Sequence, residues 1–392
     1  MSYRYGLEDF RSVAVGAALL GSGGGGSYHD AHNVIAELGD SGWTGTVEVR
    51  DYDGATDACV LAMMGSPDAA EHLALADIER AMHNTVDAFG TLCGMTPRCV
   101  IPVEIGPINS TVPLIAAALN SQSIAWVVDG DGAGRAVPQL PQTVYGGAAG
   151  LAPSPCVLAD DAASAGAIRS ARIGAASAAE VESLAGSLVN AFGSYAAIML
   201  WPSTRSNGFA LKNNYLPGTL EQTRKLGQYL MQGDEKPATQ AVVERITAIT
   251  GRRASAALIQ VYITDVKQAT SQASLDVGTI RLDDHPDIGQ SRNTYFIYNM
   301  NENLILYSAQ HEAPLVVAPD SICYYAEHTG RGFSNAFDDL APYYDRANAR
   351  STGIALSVIK IDAAPAFRRA AGVVESFTTL LRAIGYGGRV PG

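Results

Sequence analysis

Apolar and polar residues follow a repeating order along the first third of the chain. Thr46–Tyr52 alternates, as a strand with one covered face does. Cys59–Gly65 is a continuous apolar run, as in a parallel strand buried on both faces. Leu73, Leu75, Ile78 and Met82 recur at roughly helical spacing and predict a helix over Ala69–His83. Arg98–Val103 and Ser123–Val128 predict two more strands. Between them Thr111–Leu119 predicts a helix, with Asn109 or Ser110 as N-cap and Pro113 in its first turn. Strand, helix, strand, helix, strand is the signature of a parallel sheet with right-handed crossovers.

The pattern then turns helical. Ala178–Phe192, Leu220–Met231 and Thr239–Ile249 carry apolar residues at helical spacing, and Gly233–Pro237 reads as a turn. After Arg253 come short runs rich in β-branched and aromatic residues, from Ala257–Val266 to Ile354–Ile361, separated by turn residues. They predict an antiparallel domain, a small barrel or sandwich. Val374–Ile384 is helix-like again. The expected architecture is an α/β layered domain with a mostly parallel sheet over residues 1–253, a β-barrel-like domain over 254–370, and a C-terminal helix within 371–392 packing back on the first domain.

Composition narrows the function classes. The 392 residues are 47% hydrophobic and 17% charged, so the chain can bury large cores. The formal net charge of −12 argues against a nucleic-acid backbone or an anionic membrane as main partner. The apolar run Val13–Leu20 is short and follows Glu8 and Asp9, where a secretory signal has basic residues. No stretch reaches the roughly 20 apolar residues of a membrane span. The five cysteines form no CxxC pair and fit free thiols. The expectation is a soluble cytoplasmic protein with a small-molecule substrate, its oligomeric state open to self-association.

Three loops of small and polar residues hold the candidate chemistry: Gly21–Ser27, Glu104–Ser110 and Asp129–Arg135. In open α/β sheets ligands bind beyond the carboxyl ends of the strands, so one shared site is the economical reading. Gly23, Gly24, Gly25, Gly26 and Ser27 precede a helix over Tyr28–Leu38, where backbone amides can approach a ligand. The loop has neither a Walker A Lys-Ser/Thr pair nor a GxGxxG spacing, so a nucleotide has little support. Glu104 closes a strand, with Asn109 just beyond it, as a general base or a ligand anchor would. Asp129 and Asp131 can share a proton, bind a divalent cation or pair with Arg135. Equally, they can form a turn network with backbone amides. His29 and His32 stand three apart on the following helix and complete the metal candidates. Cys93 reads first as an inert thiol.

These motifs resemble those of the S-methyl thiohydantoin desulfurase family, nearly end to end. The carrying segments are ALLGSGGGGS, MMGSP (Met63–Pro67), EIGPINS, DGDGAGRAVP (Asp129–Pro138), LPGTLEQTRKLGQYL, ITGRR, NENLI, APDSI and RAIGY. Two departures stand out. Pro107 follows Glu-Ile-Gly where a second glycine is usual, and Gln139 follows the Arg-Ala-x-Pro where an acid is usual. Both leave open a changed substrate or lost activity. The resemblance implies a two-domain hydrolase that removes sulfur, as sulfide or methanethiol, from C2 of a five-membered ring during breakdown of sulfur-containing histidine derivatives. Ser66 joins the substrate-binding candidates. On this reading Asp131 or Glu104 takes the proton of water, glycine-loop amides stabilise developing negative charge, and Arg135 grips a substrate carboxylate. A divalent metal could activate the water instead. Two rival readings remain: a non-catalytic partner of a hydantoinase-type enzyme, and a ring-opening cyclic-amide hydrolase.

Overall fold

The computed structural model describes all residues except 66–72, 121–122, 165, 271–275 and 392. The chain starts with β1 (Ser2–Tyr5), α1 (Leu7–Leu20), α2 (Tyr28–Asp40), β2 (Val47–Arg50), β3 (Ala58–Gly65), α3 (Leu75–Cys93), β4 (Cys99–Pro102), α4 (Pro107–Leu119), β5 (Trp126–Val128) and the two-residue β6 (Gly130–Asp131). It continues through β7 (Cys156–Ala159), β8 (Ser170–Ile173), α5 (Ala178–Ala191), β9 (Tyr195–Ser203), β10 (Leu216–Pro217), α6 (Thr219–Met231) and α7 (Thr239–Thr250). The last part holds β11 (Ala254–Thr270), β12 (Asp276–Asp283), β13 (Thr294–Met300), β14 (Glu302–Ser308), β15 (Val316–Val317), β16 (Ser321–Tyr325), α8 (Phe337–Leu340), β17 (Tyr344–Asp345), β18 (Arg350–Ser351), β19 (Leu356–Ile361), α9 (Pro365–Arg369) and α10 (Val373–Ala383).

An eight-stranded sheet, ordered β1-β2-β5-β4-β3-β9-β7-β8, forms the first unit. Strands β2, β5, β4, β3 and β7 run one way, and β1, β9 and β8 the other. The continuous apolar run in β3 is explained by cover on both faces. Ala58, Val60 and Ala62 pack into one core with Trp201, Val181 and Phe377. Cys59, Leu61 and Met63 pack into the other with Phe89, Ile115 and Phe10.

The second unit is an antiparallel sheet ordered β15-β14-β13-β12-β11-β19-β16, curled into a nearly closed barrel-like shape. Its interior is a separate core including Ile263, Leu282, Ile297 and Tyr324.

Three features depart from the pattern-based elements. The expected Ala69–His83 helix begins at Leu75 and runs on to Cys93, where Gly94 in the left-handed region (φ 68°) stops it. Residues 69–72 lie outside the described ones. The helix expected from Thr111 starts at Pro107, four residues early. Proline suits that first position, having no N–H to leave unpaired and a fixed φ. The apolar segment before the glycine loop is helix α1, buried almost all round. It meets α6 so closely that a Cβ on Gly16 would lie 2.0 Å from the Thr223 carbonyl oxygen, and one on Gly227 1.7 Å from that of Ser12. On its other side α1 joins a core with Cys323, Tyr325 and Ile359 of the barrel. The two units are therefore packed through shared apolar surface. Helix α10 joins the first unit's core through Phe377 and Leu381.

Candidate active-site cleft

Two of the three loops, Gly21–Ser27 and Glu104–Ser110, contribute to a cleft where the α/β unit meets the barrel, whereas no residue of the third, Asp129–Arg135, lines it. The cleft spans about 950 Å3, part of it open to solvent. Gly25, Gly26, Ser27, Glu104 and Asn109 line it, together with Asp30, Gln139, Glu182, Tyr195, Asn301 and Glu302. Gly23, Gly24, Asp129, Asp131 and Arg135 do not. Ser66 lies outside the described residues.

Glu104 follows β4 and is 5% exposed. Its Oε1 accepts from Asn109 Nδ2 (2.8 Å) and its Oε2 from the Val137 N–H (2.7 Å). Asn109, in the first turn of α4, is itself fixed because its Oδ1 accepts from the Met63 N–H (3.0 Å). Burial pushes the Glu104 carboxyl up to about 7, against the pull of these two donors. A carboxyl held there exchanges a proton readily at neutral pH.

Glu302 opens β14 from the barrel side and is 2% exposed. Its Oε1 accepts from the Gly25 N–H (3.2 Å), and its Oε2 is buried without a hydrogen-bond partner among the described residues. Burial first, then the negative charge of Glu104, holds this carboxyl well above the carboxylate range, and Arg135 opposes the shift. Burial and the neighbouring charge thus disfavour its ionised form.

Glu182, in the first turns of α5, accepts the Leu140 N–H at Oε2 (2.8 Å). The residue is half-buried, but its carboxyl is enclosed, and burial raises it to about 7. The Tyr195 hydroxyl, at the start of β9, is buried without a partner among the described residues. The pattern reading missed Glu302, Glu182 and Tyr195.

The amides at the start of the helix after the glycine loop are engaged within the protein. The carboxylate of Asp339, on α8, sits at the start of α2 and accepts from the Tyr28 (2.9 Å) and His29 (3.0 Å) N–H groups. The position that favours an anion is thus taken by the protein's own side chain. Ser27 caps α2 by accepting from the Asp30 N–H (3.2 Å). The loop needs glycine because two backbones cross. A Cβ on Gly25 (φ 76°) would lie 2.4 Å from the Gly106 Cα, and one on Gly24 would lie 1.9 Å from Glu302 Oε1. Gly23 (φ 85°) packs against Asn303 and Asn335.

The aspartates of the third loop hold the start of α6. Asp129 Oδ1 accepts from the Glu221 N–H (2.9 Å). Asp131 accepts from the Ala133 and Gly134 N–H groups at Oδ2 (2.8 and 2.7 Å) and from the Thr219 hydroxyl at Oδ1 (2.6 Å). Burial raises both carboxyls to about 6. Arg135 is fully buried and donates to four backbone carbonyls, of Ala136, Pro319, Asp320 and Asn303 (2.8–3.2 Å). His29 and His32 are exposed on α2. Among the described residues no three His, Cys, Asp or Glu side chains group as a metal site would need. Cys93 ends α3, outside the cleft, and all five thiols are free.

A carboxyl raised on folding destabilises the fold at high pH. Its favourable contribution is complete below the unfolded value and is lost as pH rises through the folded one. Glu182→Gln keeps an oxygen to accept from Leu140 and removes the ionisation. The variant should melt higher than wild type at pH 8 and equally at pH 4. Equal melting at both would mean the Glu182 carboxyl is not raised.

This arrangement defines a two-domain protein with a buried, acid-lined cleft at the junction of an α/β unit and a barrel. The chain belongs to the S-Me-THD-like family, the S-methyl thiohydantoin desulfurase group: the N-terminal domain of that family matches residues 8–170 and its C-terminal domain residues 176–374. No curated protein matches the chain. A crystal structure of a protein from Chromobacterium violaceum is similar over 99% of both chains, with a TM-score of 0.78 and 24% identity, which speaks to fold. Among the described residues no helix is long and apolar enough to cross a membrane.

Proposed function

We propose that the cleft hydrolyses the bond between C2 and sulfur in a thiohydantoin-type ring. The observation that carries this reading is a pair of buried carboxyls lining one cleft in a chain of this family, Glu104 raised by burial and Glu302 raised by burial and by the charge of Glu104. Groups whose environments push them apart in this way can divide the work of acid and base.

For a ring with a C2=N bond and a methylthio group on C2, Glu104 takes a proton from water as the oxygen bonds to C2. The Glu302 carboxyl gives its proton to the ring nitrogen. In the second half, Glu302 takes the hydroxyl proton as the C2=O bond forms and the C2–S bond breaks. Glu104 returns its proton to the departing sulfur. Water and ring become the hydantoin and methanethiol, and both carboxyls regain their starting states. A 2-thioxo ring, reacting as its C2=N, C2–SH tautomer, would release hydrogen sulfide by the same exchange.

Purified protein incubated with 2-methylthio and 2-thioxo rings should release thiol or sulfide. Its kcat/KM should rise with pH up to about 7 and then level, since Glu104 must be ionised to accept the proton; the limb reports the coupled pair. No release from any ring would favour the non-catalytic binding role, and ring-opened products would favour amide hydrolysis.

A further inference from the structure

The third loop stands out in the sequence, yet its arginine works from outside the cleft. Arg135 is fully buried, and the four oxygens it donates to are all backbone carbonyls. Three of them, on Asn303, Pro319 and Asp320, belong to the barrel unit, so a side chain of the α/β unit is planted in its neighbour. The Phe377 ring of α10 lies 5.9 Å from the guanidinium. Burial opposes the charge, but a guanidinium keeps its proton at neutral pH. Carbonyl oxygens hold such a group in place without cancelling its charge.

The same residue is tied to both cleft carboxyls through their chain neighbours. On the α/β side its own carbonyl accepts from the N–H of Ile105 (3.2 Å), the residue after Glu104. Two positions on, the Val137 N–H donates to Glu104 Oε2 (2.7 Å). On the barrel side its Nη2 donates to the carbonyl of Asn303 (3.2 Å), the residue after Glu302. Arg135 is a cation that weighs on both acids, favouring their ionised forms against burial. Other charges act on this cluster. Asp131 of β6 weighs on Glu104, and Arg252 after α7, Asp320 before β16 and Cys323 of β16 weigh on Arg135. Asp30 of α2 and Glu182 of α5 face the same cleft.

Attack of water at C2 needs Glu104 ionised while Glu302 still holds its proton. Burial alone would keep both protonated. A fixed cation beside two buried carboxyls favours the state in which one has given up its proton, because cation and carboxylate then compensate each other in a poorly solvated space. Resting on the desulfurising reading above, we propose that Arg135 is a positioning residue for that reaction: it ties Glu104 to Glu302 across the junction of the two units and supplies the fixed positive charge that lets Glu104 accept the proton of water. This replaces the expectation that Arg135 holds a substrate carboxylate.

The test follows the Glu104 carboxyl by NMR in the full chain carrying glutamate labelled with 13C at the side-chain carboxyl. Glu104→Gln identifies its signal. In Arg135→Gln the Glu104 midpoint should move upward by about one pH unit, the low end of what a close opposite charge does. In Arg135→Lys, which keeps the charge, it should stay with wild type. Both variants should melt lower, having lost the planar fork that reaches several carbonyls, so melting does not separate the roles. A measurement on wild type covers the case in which neither variant folds: the Arg135 15Nε signal should shift with the same midpoint as the Glu104 carboxyl. A Glu104 midpoint unmoved in Arg135→Gln, one displaced equally in both variants, or an Arg135 signal flat through the Glu104 titration would overturn the inference. None of these measurements needs turnover. Thiol release with an unmoved midpoint would leave the desulfurising reading standing, whereas a moved midpoint without release from any ring would count against that reading alone.

Discussion

Glu104→Gln is expected to lower the rate of sulfur release by about 10²- to 10⁴-fold, the usual loss when a general base is removed. Glutamine has nearly the same shape, and its oxygen can still accept from Asn109 Nδ2 or the Val137 N–H, which together fix the glutamate. The fold should survive, since the change also removes a carboxyl that burial disfavours in its ionised form. The measurement is single-turnover thiol release at pH 8, beside a melting curve. A variant within threefold of wild type, normally folded, would exclude Glu104 as the base and pass the role to another carboxyl of the cleft.

Arg135→Met is expected to act on the fold instead. Methionine fills part of the same space but leaves four buried carbonyls, on Ala136, Pro319, Asp320 and Asn303, without their donor. It also removes the charge that tempers Glu302. A buried acceptor left unsatisfied typically costs about 1–3 kcal/mol. The shift should be visible in the urea midpoint. Protein that remains folded should bind a thiohydantoin ring bearing a carboxylate chain no more weakly than wild type does. Unchanged stability with a large rise in KM would restore Arg135 to substrate recognition.

The contrast between these two residues shows what a linear pattern conveys. Glu104 was legible because a carboxylate between an apolar strand and a helix start has few structural uses, and its partner Asn109 lies only five positions on. Arg135 and Asp131 were equally conspicuous in a glycine-rich loop. Yet a short Asp side chain next to glycines readily accepts amides two and three residues ahead, as Asp131 does from Ala133 and Gly134. Nothing in the loop reveals that Thr219 and the carbonyls of residues 303, 319 and 320 close around it.

Glu302 was hidden by distance, 198 positions from Glu104. Its one local sign is an acid opening the wholly apolar stretch Leu304–Leu306, at a strand end buried on every side. Glu182 follows the capping residue Glu180 and reads as the solvent face of α5. The alternation of strands and helices carried the layer order well, because periodicity reports burial directly. It could not report that the start of α2 is filled by Asp339, 311 positions away from Tyr28.

That last contact has a bearing on biosynthesis. Glu104 and the glycine loop leave the ribosome early, but Glu302 and Asp339 are translated only in the final quarter of the chain. Until then the nascent first unit exposes a raw helix end, an uncovered face of α1 and an incomplete cleft. Domains usually consolidate one after another as they emerge. Here the earlier unit must wait for the later one, so a ribosome stalled before residue 302 would hold a chain with no site and an apolar surface for chaperones to shield.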